Sequence, residues 1–182
     1  MKHRQVILLA ALSVIAFRTF ARSQQPQFTV CKSTYALCTK AKCLPMPGSS
    51  DKVSCACEVK TGYSLGTQPC GSAQQIKDGQ LQSRYHPIKS YARCSNDRPW
   101  AYCLDAICAV DKGDKTKASC TCSLVRNQGD YVITGDTYTK STCTTGIISS
   151  ATVDQVDQAT DFLETQDALP PFDFKVLNVQ RK

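Results

Sequence analysis

The residues best equipped for chemistry are two cysteine pairs set one residue apart, "SCAC" at 54–57 and "SCTC" at 119–122. A Cys-x-Cys dithiol can in principle hold a soft metal or exchange disulfides. On an extended strand, however, residues i and i+2 lie roughly 6.6 Å apart with parallel side chains on one face, so each sulfur needs its own partner elsewhere. The other reactive group is histidine. Past the first 23 residues the chain holds a single one, His86, beside Arg84 and Tyr85. One histidine cannot complete an H-E-x-x-H helix or a His-rich zinc site, and a Cys–His nucleophile would need a free thiol. Neither C-x-x-C nor a phosphate-cradling Gly-rich loop occurs. The expectation is no catalytic residue, no metal and no cofactor. An envelope enzyme working through His86 with Tyr85 or Arg84 is the rival reading.

The N-terminal end and the cysteine count set the compartment. Lys2, His3 and Arg4 precede an uncharged run from Val6 to Phe17, followed by Ala21 and Ser23. A basic start, an apolar stretch and an A-x-S cleavage site are the parts of a secretory signal peptide, expected over residues 1–23. The apolar stretch is shorter than the about 20 residues that span a bilayer, so membrane contact is expected through the signal peptide only. All 12 cysteines follow this segment. An even set at this density in an exported chain reads as six disulfides in a secreted or periplasmic protein. Removal of 1–23 leaves 18 Lys and Arg against 15 Asp and Glu, a mildly basic balance. The only basic stretch with interleaved aromatics is "SRYHPIKSYAR" at 83–93, and no nucleic-acid partner is expected.

The elements that must position the cysteines repeat. Cys31, Cys38, Cys43, Cys55, Cys57 and Cys70 follow C-x6-C-x4-C-x11-C-x-C-x12-C, and Cys94, Cys103, Cys108, Cys120, Cys122 and Cys143 follow C-x8-C-x4-C-x11-C-x-C-x20-C. Three successive inner gaps agree, and a shift of 65 residues also aligns Ala36 with Ala101, Ala41 with Ala106, Gly48 with Gly113 and Ser54 with Ser119. Such self-similarity predicts two copies of one supersecondary unit, 24–70 and 94–143. Each 11-residue gap centres on turn residues, "PMPGSSDK" and "VDKGDKTK", between strand-forming runs, and predicts a β-hairpin whose second strand carries the Cys-x-Cys. Both sulfurs of a pair then face one side, each stapled to a different segment.

Six cysteines bracketing a hairpin, with Cys-x-Cys between the fourth and fifth, resemble the epidermal-growth-factor-like module. "CACEVKTGYSLGTQPC" at 55–70 adds Gly62, Tyr63 and Gly66, similar to that family's closing loop. The resemblance implies first-to-third, second-to-fourth and fifth-to-sixth pairing: Cys31–Cys43, Cys38–Cys55 and Cys57–Cys70, then Cys94–Cys108, Cys103–Cys120 and Cys122–Cys143. Spacing alone leaves 15 connectivities for each set. The acidic residues that calcium-binding members carry ahead of the first cysteine are missing from "QPQFTVC" and "IKSYARC", and calcium is not expected.

Residues 71–93 read as a linker or inter-repeat loop, polar at first, whose Tyr85, Ile88 and Tyr91 cover a core between the copies. In 144–182, Val153, Val156, Thr160 and Leu163 recur at three- and four-residue steps behind a Thr152–Gln155 capping box, which predicts one amphipathic helix packed on the repeats. Pro170 and Pro171 then open an extended tail. The fold class is a small disulfide-rich, mainly β protein with two tandem hairpin-based modules and a C-terminal amphipathic helix. The expected function is binding or structural, toward a protein, an extracellular matrix or an envelope component. An inhibitor presenting an exposed loop at 126–140 is the alternative.

Overall fold

A computed structural model describes residues 28–70, 79–167, 169 and 175–178. The signal-peptide reading and the polar start of the linker lie outside the described residues. In chain order the elements are β1 (Thr29–Leu37), β2 (Lys42–Pro45), β3 (Lys52–Gly66), β4 (Gln80–Arg84), β5 (Ser90–Cys94), β6 (Trp100–Tyr102), β7 (Ile107–Val110), β8 (Lys117–Val125), β9 (Tyr131–Thr134), β10 (Ile147–Ile148), α1 (Val153–Glu164) and β11 (Lys175–Val176). The mainly β, disulfide-rich fold with one C-terminal helix is as expected from the sequence.

Both predicted hairpins form. β2 pairs with β3 with Cys43 opposite Cys55, and β7 pairs with β8 with Cys108 opposite Cys120. The first turn uses Gly48 at φ +76°, a conformation that suits a residue without Cβ. In the second, the Asp111 carboxylate accepts from the backbone N–H groups of Gly113 (2.7 Å) and Asp114 (3.0 Å), an Asx turn that needs no left-handed glycine. Along β8 burial alternates, with Ala118, Cys120 and Cys122 inward and Lys117, Ser119 and Thr121 outward. That alternation places the two sulfurs of each Cys-x-Cys on the inner face.

The two hairpins meet edge to edge. β3 and β8 run antiparallel with Cys55 opposite Cys120, Val53 opposite Cys122 and Cys57 opposite Ala118. Exchange of the two cysteine sets by the 65-residue shift maps this register onto itself, with the Cys55–Cys120 pair at the local two-fold. β3 also pairs with β1, β1 runs parallel to β4, and β4 pairs with β7, so β3, β1, β4, β7 and β8 close into a ring. Residues from Gly79 onward, within the stretch expected as a linker, thus supply a ring strand and then β5. β11, β5 and β9 make a second, three-stranded sheet.

All 12 cysteines are paired, but the pairing implied by the growth-factor resemblance is corrected. The bridges are nested: Cys31–Cys70, Cys38–Cys57 and Cys43–Cys55 in the first set, then Cys94–Cys143, Cys103–Cys122 and Cys108–Cys120 in the second. The register explains the difference. Cys43 and Cys108 face Cys55 and Cys120 directly across their hairpins, within reach of a cross-strand bond, so the third cysteine takes the fourth instead of the first. Eight half-cystines with Ala36, Ala41, Val53, Ala101 and Ala118 make up the main buried cluster. Small side chains and sulfur fill it in place of leucine and phenylalanine.

A second buried cluster joins Tyr85, Tyr91, Val132, Ala151 and Val156. The inter-repeat aromatics thus cover a core, and α1 buries Val156 and Leu163 against the rest of the chain. Its start carries the predicted capping box: Gln155 N–H donates to Thr152 Oγ1 (3.2 Å) and Thr152 N–H donates to Gln155 Oε1 (2.9 Å). Of the tail, Lys175–Val176 is extended as β11, parallel to β5, and 177–178 turn after it.

Candidate functional site

The Cys-x-Cys pairs act as double staples, and one of them builds a concave surface. Cys57 on β3 bonds Cys38, so the turn 39–42 is riveted against the strand that presents Ala56 and Glu58 outward. The opposite wall comes from the 86–90 connection between β4 and β5 and from the end of β9. It is tied down by Ser90 Oγ donating to Gly135 O (2.6 Å), Gly135 N–H donating to Ser90 O (3.2 Å) and Thr134 Oγ1 donating to Thr39 O (3.3 Å). Between the walls runs an open groove of about 760 Å³. Lys40, Lys42, Lys89 and His86 line it, against Glu58 and Asp136, over an apolar floor that includes Leu37, Ala56 and Ile88. Lys60 Nζ lies 2.6 Å from Glu58, and that hydrogen bond holds the Glu58 carboxyl below its ordinary value. One of the groove's two acids is therefore already neutralised by a neighbour, leaving the lining net cationic.

His86 is exposed on this wall, whereas its two neighbours are committed elsewhere. Arg84 is buried: Nε donates to Ser64 Oγ (3.1 Å), Nη1 to Gln68 O (3.1 Å) and Nη2 to Thr29 O (2.6 Å), with Asp105 Oδ1 3.8 Å from Nη1. Burial lowers the Arg84 pKa and the Asp105 charge opposes that. Tyr85 donates its hydroxyl to Ser150 O (3.3 Å), and burial pushes its phenol well above the ordinary range. Tyr85 and His86 both border a small apolar cavity under α1, but Arg84 points away from it into the β1–β3 side. No proton-transfer pair is assembled among the three.

An absence of the G-x-S-x-G elbow would be the wrong expectation, because Gly62-Tyr63-Ser64-Leu65-Gly66 matches that spacing of a nucleophile elbow. The structure removes Ser64 as a nucleophile. Ser64 is inside β3 rather than on a strand-to-helix turn, 2% exposed, its hydroxyl donating to Cys31 O (3.4 Å) and accepting from Arg84. The sulfurs of Cys38, Cys57 and Cys120, and of Cys43, Cys55 and Cys103, cluster within 4.8 Å of one another in the core. Each belongs to a disulfide and offers no thiolate to a cation, so the clusters are stacked staples. Between two different bridges, Cys38 Sγ and Cys120 Sγ lie 3.3 Å apart.

Within the 126–140 stretch, Tyr131 and Val132 are buried in β9, 126–129 are exposed before it, and a second exposed part, 136–141, follows it. Cys94–Cys143 anchors the far end of that part, and Tyr138 is 43% exposed. The groove lysines were not singled out in the sequence. Lys40 and Lys42 alternate around buried Ala41, but Lys89 joins them only through the β5–β9 packing. Comparison with protein-family models, with curated proteins and with solved structures finds no match.

Proposed function

We propose that the protein is an exported binding protein, working outside the reducing cytosol, and that the groove between the 39–42 turn and the 86–90 connection is its binding face. The observation that carries this reading is the groove's construction. One disulfide and three hydrogen bonds hold its walls, and its rim gathers Lys40, Lys42, Lys89 and His86 from two separate segments. A pre-organised wall loses little entropy on binding, and a cationic rim favours an acidic ligand such as an Asp- and Glu-rich peptide or an acidic glycan. Six disulfides suit an oxidising compartment, and no helix among the described residues is long and apolar enough to cross a membrane.

The test is titration with an Asp-rich peptide and with its Lys-rich counterpart at low and high salt. The acidic peptide should bind, should weaken as salt screens the rim, and should be lost in a K40E/K42E/K89E variant that keeps the wild-type melting profile. Equal binding of both peptides, or binding indifferent to the triple reversal, would remove the groove as the site. A second reading rests on 136–141, where Thr139 N–H donates to Thr142 Oγ1 (3.0 Å) and Cys94–Cys143 closes the base. An exposed loop held this way is the shape of a peptidase inhibitor, and Tyr138→Ala should abolish inhibition if a susceptible peptidase exists.

A further inference from the structure

Beneath α1 lies a cavity of about 110 Å³, separate from the groove except that His86 and Ile88 border both. Its walls come from the start of β1, the end of β3, the β4–β5 connection, the stretch after β6 and the inner face of the helix. Phe28, Leu65, Tyr102, Leu104, Ala159 and Leu163 are among its lining residues. No Asp, Glu, Lys or Arg lines it, and His86 is the one histidine at its rim.

Three of the polar groups on its wall already have partners. The Tyr85 hydroxyl donates to Ser150 O, Thr67 Oγ1 donates to Asp105 Oδ2 (2.6 Å), and Gln155 Oε1 accepts from the Thr152 N–H in the capping box. A buried water needs two to four polar partners, and a lining made mainly of Phe, Leu, Ile, Val and Ala side chains favours an apolar guest over water. An engineered apolar cavity of about 150 Å³ takes benzene, which sets the scale: a guest here has one ring or a short branched chain. Phe28, Tyr85 and Tyr102 offer ring edges and faces to an aromatic guest.

We propose that this cavity is a binding site for a small, neutral, single-ring aromatic or short aliphatic compound, covered by α1. Selectivity follows from the wall. A charged analogue would be desolvated against a wall that offers no Asp, Glu, Lys or Arg to pair with, so the site discriminates by charge as well as by size. The guest enters past the helix, which is joined to the rest of the chain through few buried side chains, Val156 and Leu163.

The experiment uses the full disulfide-bonded chain, with toluene and phenol as neutral probes and benzoate and anilinium as charged ones. Titration followed by methyl resonances should show saturable shifts at Ala159, Leu163 and Ile88 for the neutral probes. The charged pair should bind at least tenfold more weakly. Ala159→Leu, which fills the space from the helix side, should cut toluene affinity at least tenfold while its helix signal and melting temperature hold or rise. The proposal is overturned by failure of the wild type to bind either neutral probe saturably, by shifts that map away from α1, or by unchanged affinity in Ala159→Leu. If Ala159→Leu unfolds, Leu104→Ala gives the opposite arm: a larger cavity should shift preference toward a bulkier ring such as indole, and an unaltered ranking sinks the idea. The K40E/K42E/K89E variant should bind toluene normally, which separates this site from the groove.

Discussion

Gly66 closes β3 at a point where no side chain fits. A Cβ there would lie 2.5 Å from Asp105 Oδ1 and 2.6 Å from Arg84 Nη1, inside the contact distance of any real atom pair. The two charged groups cannot retreat cheaply, because Arg84 is held by three acceptors and Asp105 Oδ2 accepts from both Thr67 N–H (2.8 Å) and Thr67 Oγ1. Asp105 itself is in the left-handed region at φ +60°, where a short polar side chain is tolerated when its carboxylate is bonded locally. Gly66→Ala should therefore pry apart a buried ion pair and cost about 3 kcal/mol or more. Gly113→Ala is the matched control: its nearest neighbour would be Asp111 Oδ1 at 3.5 Å, an ordinary contact, and the change should stay within about 0.5 kcal/mol. Guanidinium unfolding with the disulfides intact reads both, and equal midpoints for the two variants would show that the Arg84–Asp105 cluster does not hold the ring together.

At the scale of elements, α1 is held by its cap and its two buried side chains rather than by its charges. Asp154, Asp157 and Asp161 follow one another at three- and four-residue steps, and no basic residue occupies the last turn. Partial burial, and then the charges of Asp154 and Asp161, raise the Asp157 carboxyl. The reciprocal capping box offsets this, so Thr152→Ala should cost about 1 kcal/mol and should speed amide exchange first along the opening turn of α1. Unaltered protection at Val156 and Asp157 would show that packing alone fixes the helix. This helix was legible in the sequence because its period and its cap are local, and both hairpins were legible for the same reason. The parallel β1–β4 pairing, the β3–β8 junction and the β5–β9–β11 sheet were not: each joins segments with no local signal for one another. The disulfide pairing fell between these cases. The gaps told that each Cys-x-Cys must staple two segments, yet which two depends on cross-strand register, which places Cys43 opposite Cys55 and leaves Cys31 for Cys70. The groove was illegible in the same way, since Lys89 reaches Lys40 and Lys42 only in three dimensions.

For the whole molecule the nested bridges divide into two kinds by access. Cys38–Cys57, Cys43–Cys55, Cys103–Cys122 and Cys108–Cys120 have all eight half-cystines buried at 5% exposure or less, inside the closed ring. Cys31–Cys70 and Cys94–Cys143 each bring one half-cystine to the outside, Cys70 exposed and Cys143 half-buried. Thiol–disulfide exchange needs an attacking thiolate in line with a sulfur, so a bridge inside a packed core waits for global opening while one at the rim does not. Limited reduction followed by alkylation and peptide mapping should therefore find Cys31, Cys70, Cys94 and Cys143 labelled first, with the other eight cysteines still paired. The four-bridge species should retain the β signature of the intact chain. Each native bridge in a small domain is worth typically 2–5 kcal/mol, so loss of the two rim bridges should lower the melting temperature without abolishing the transition. Opening of Cys43–Cys55 or Cys108–Cys120 before the rim bridges would mean that the ring, and not its rim, is where this molecule first gives way.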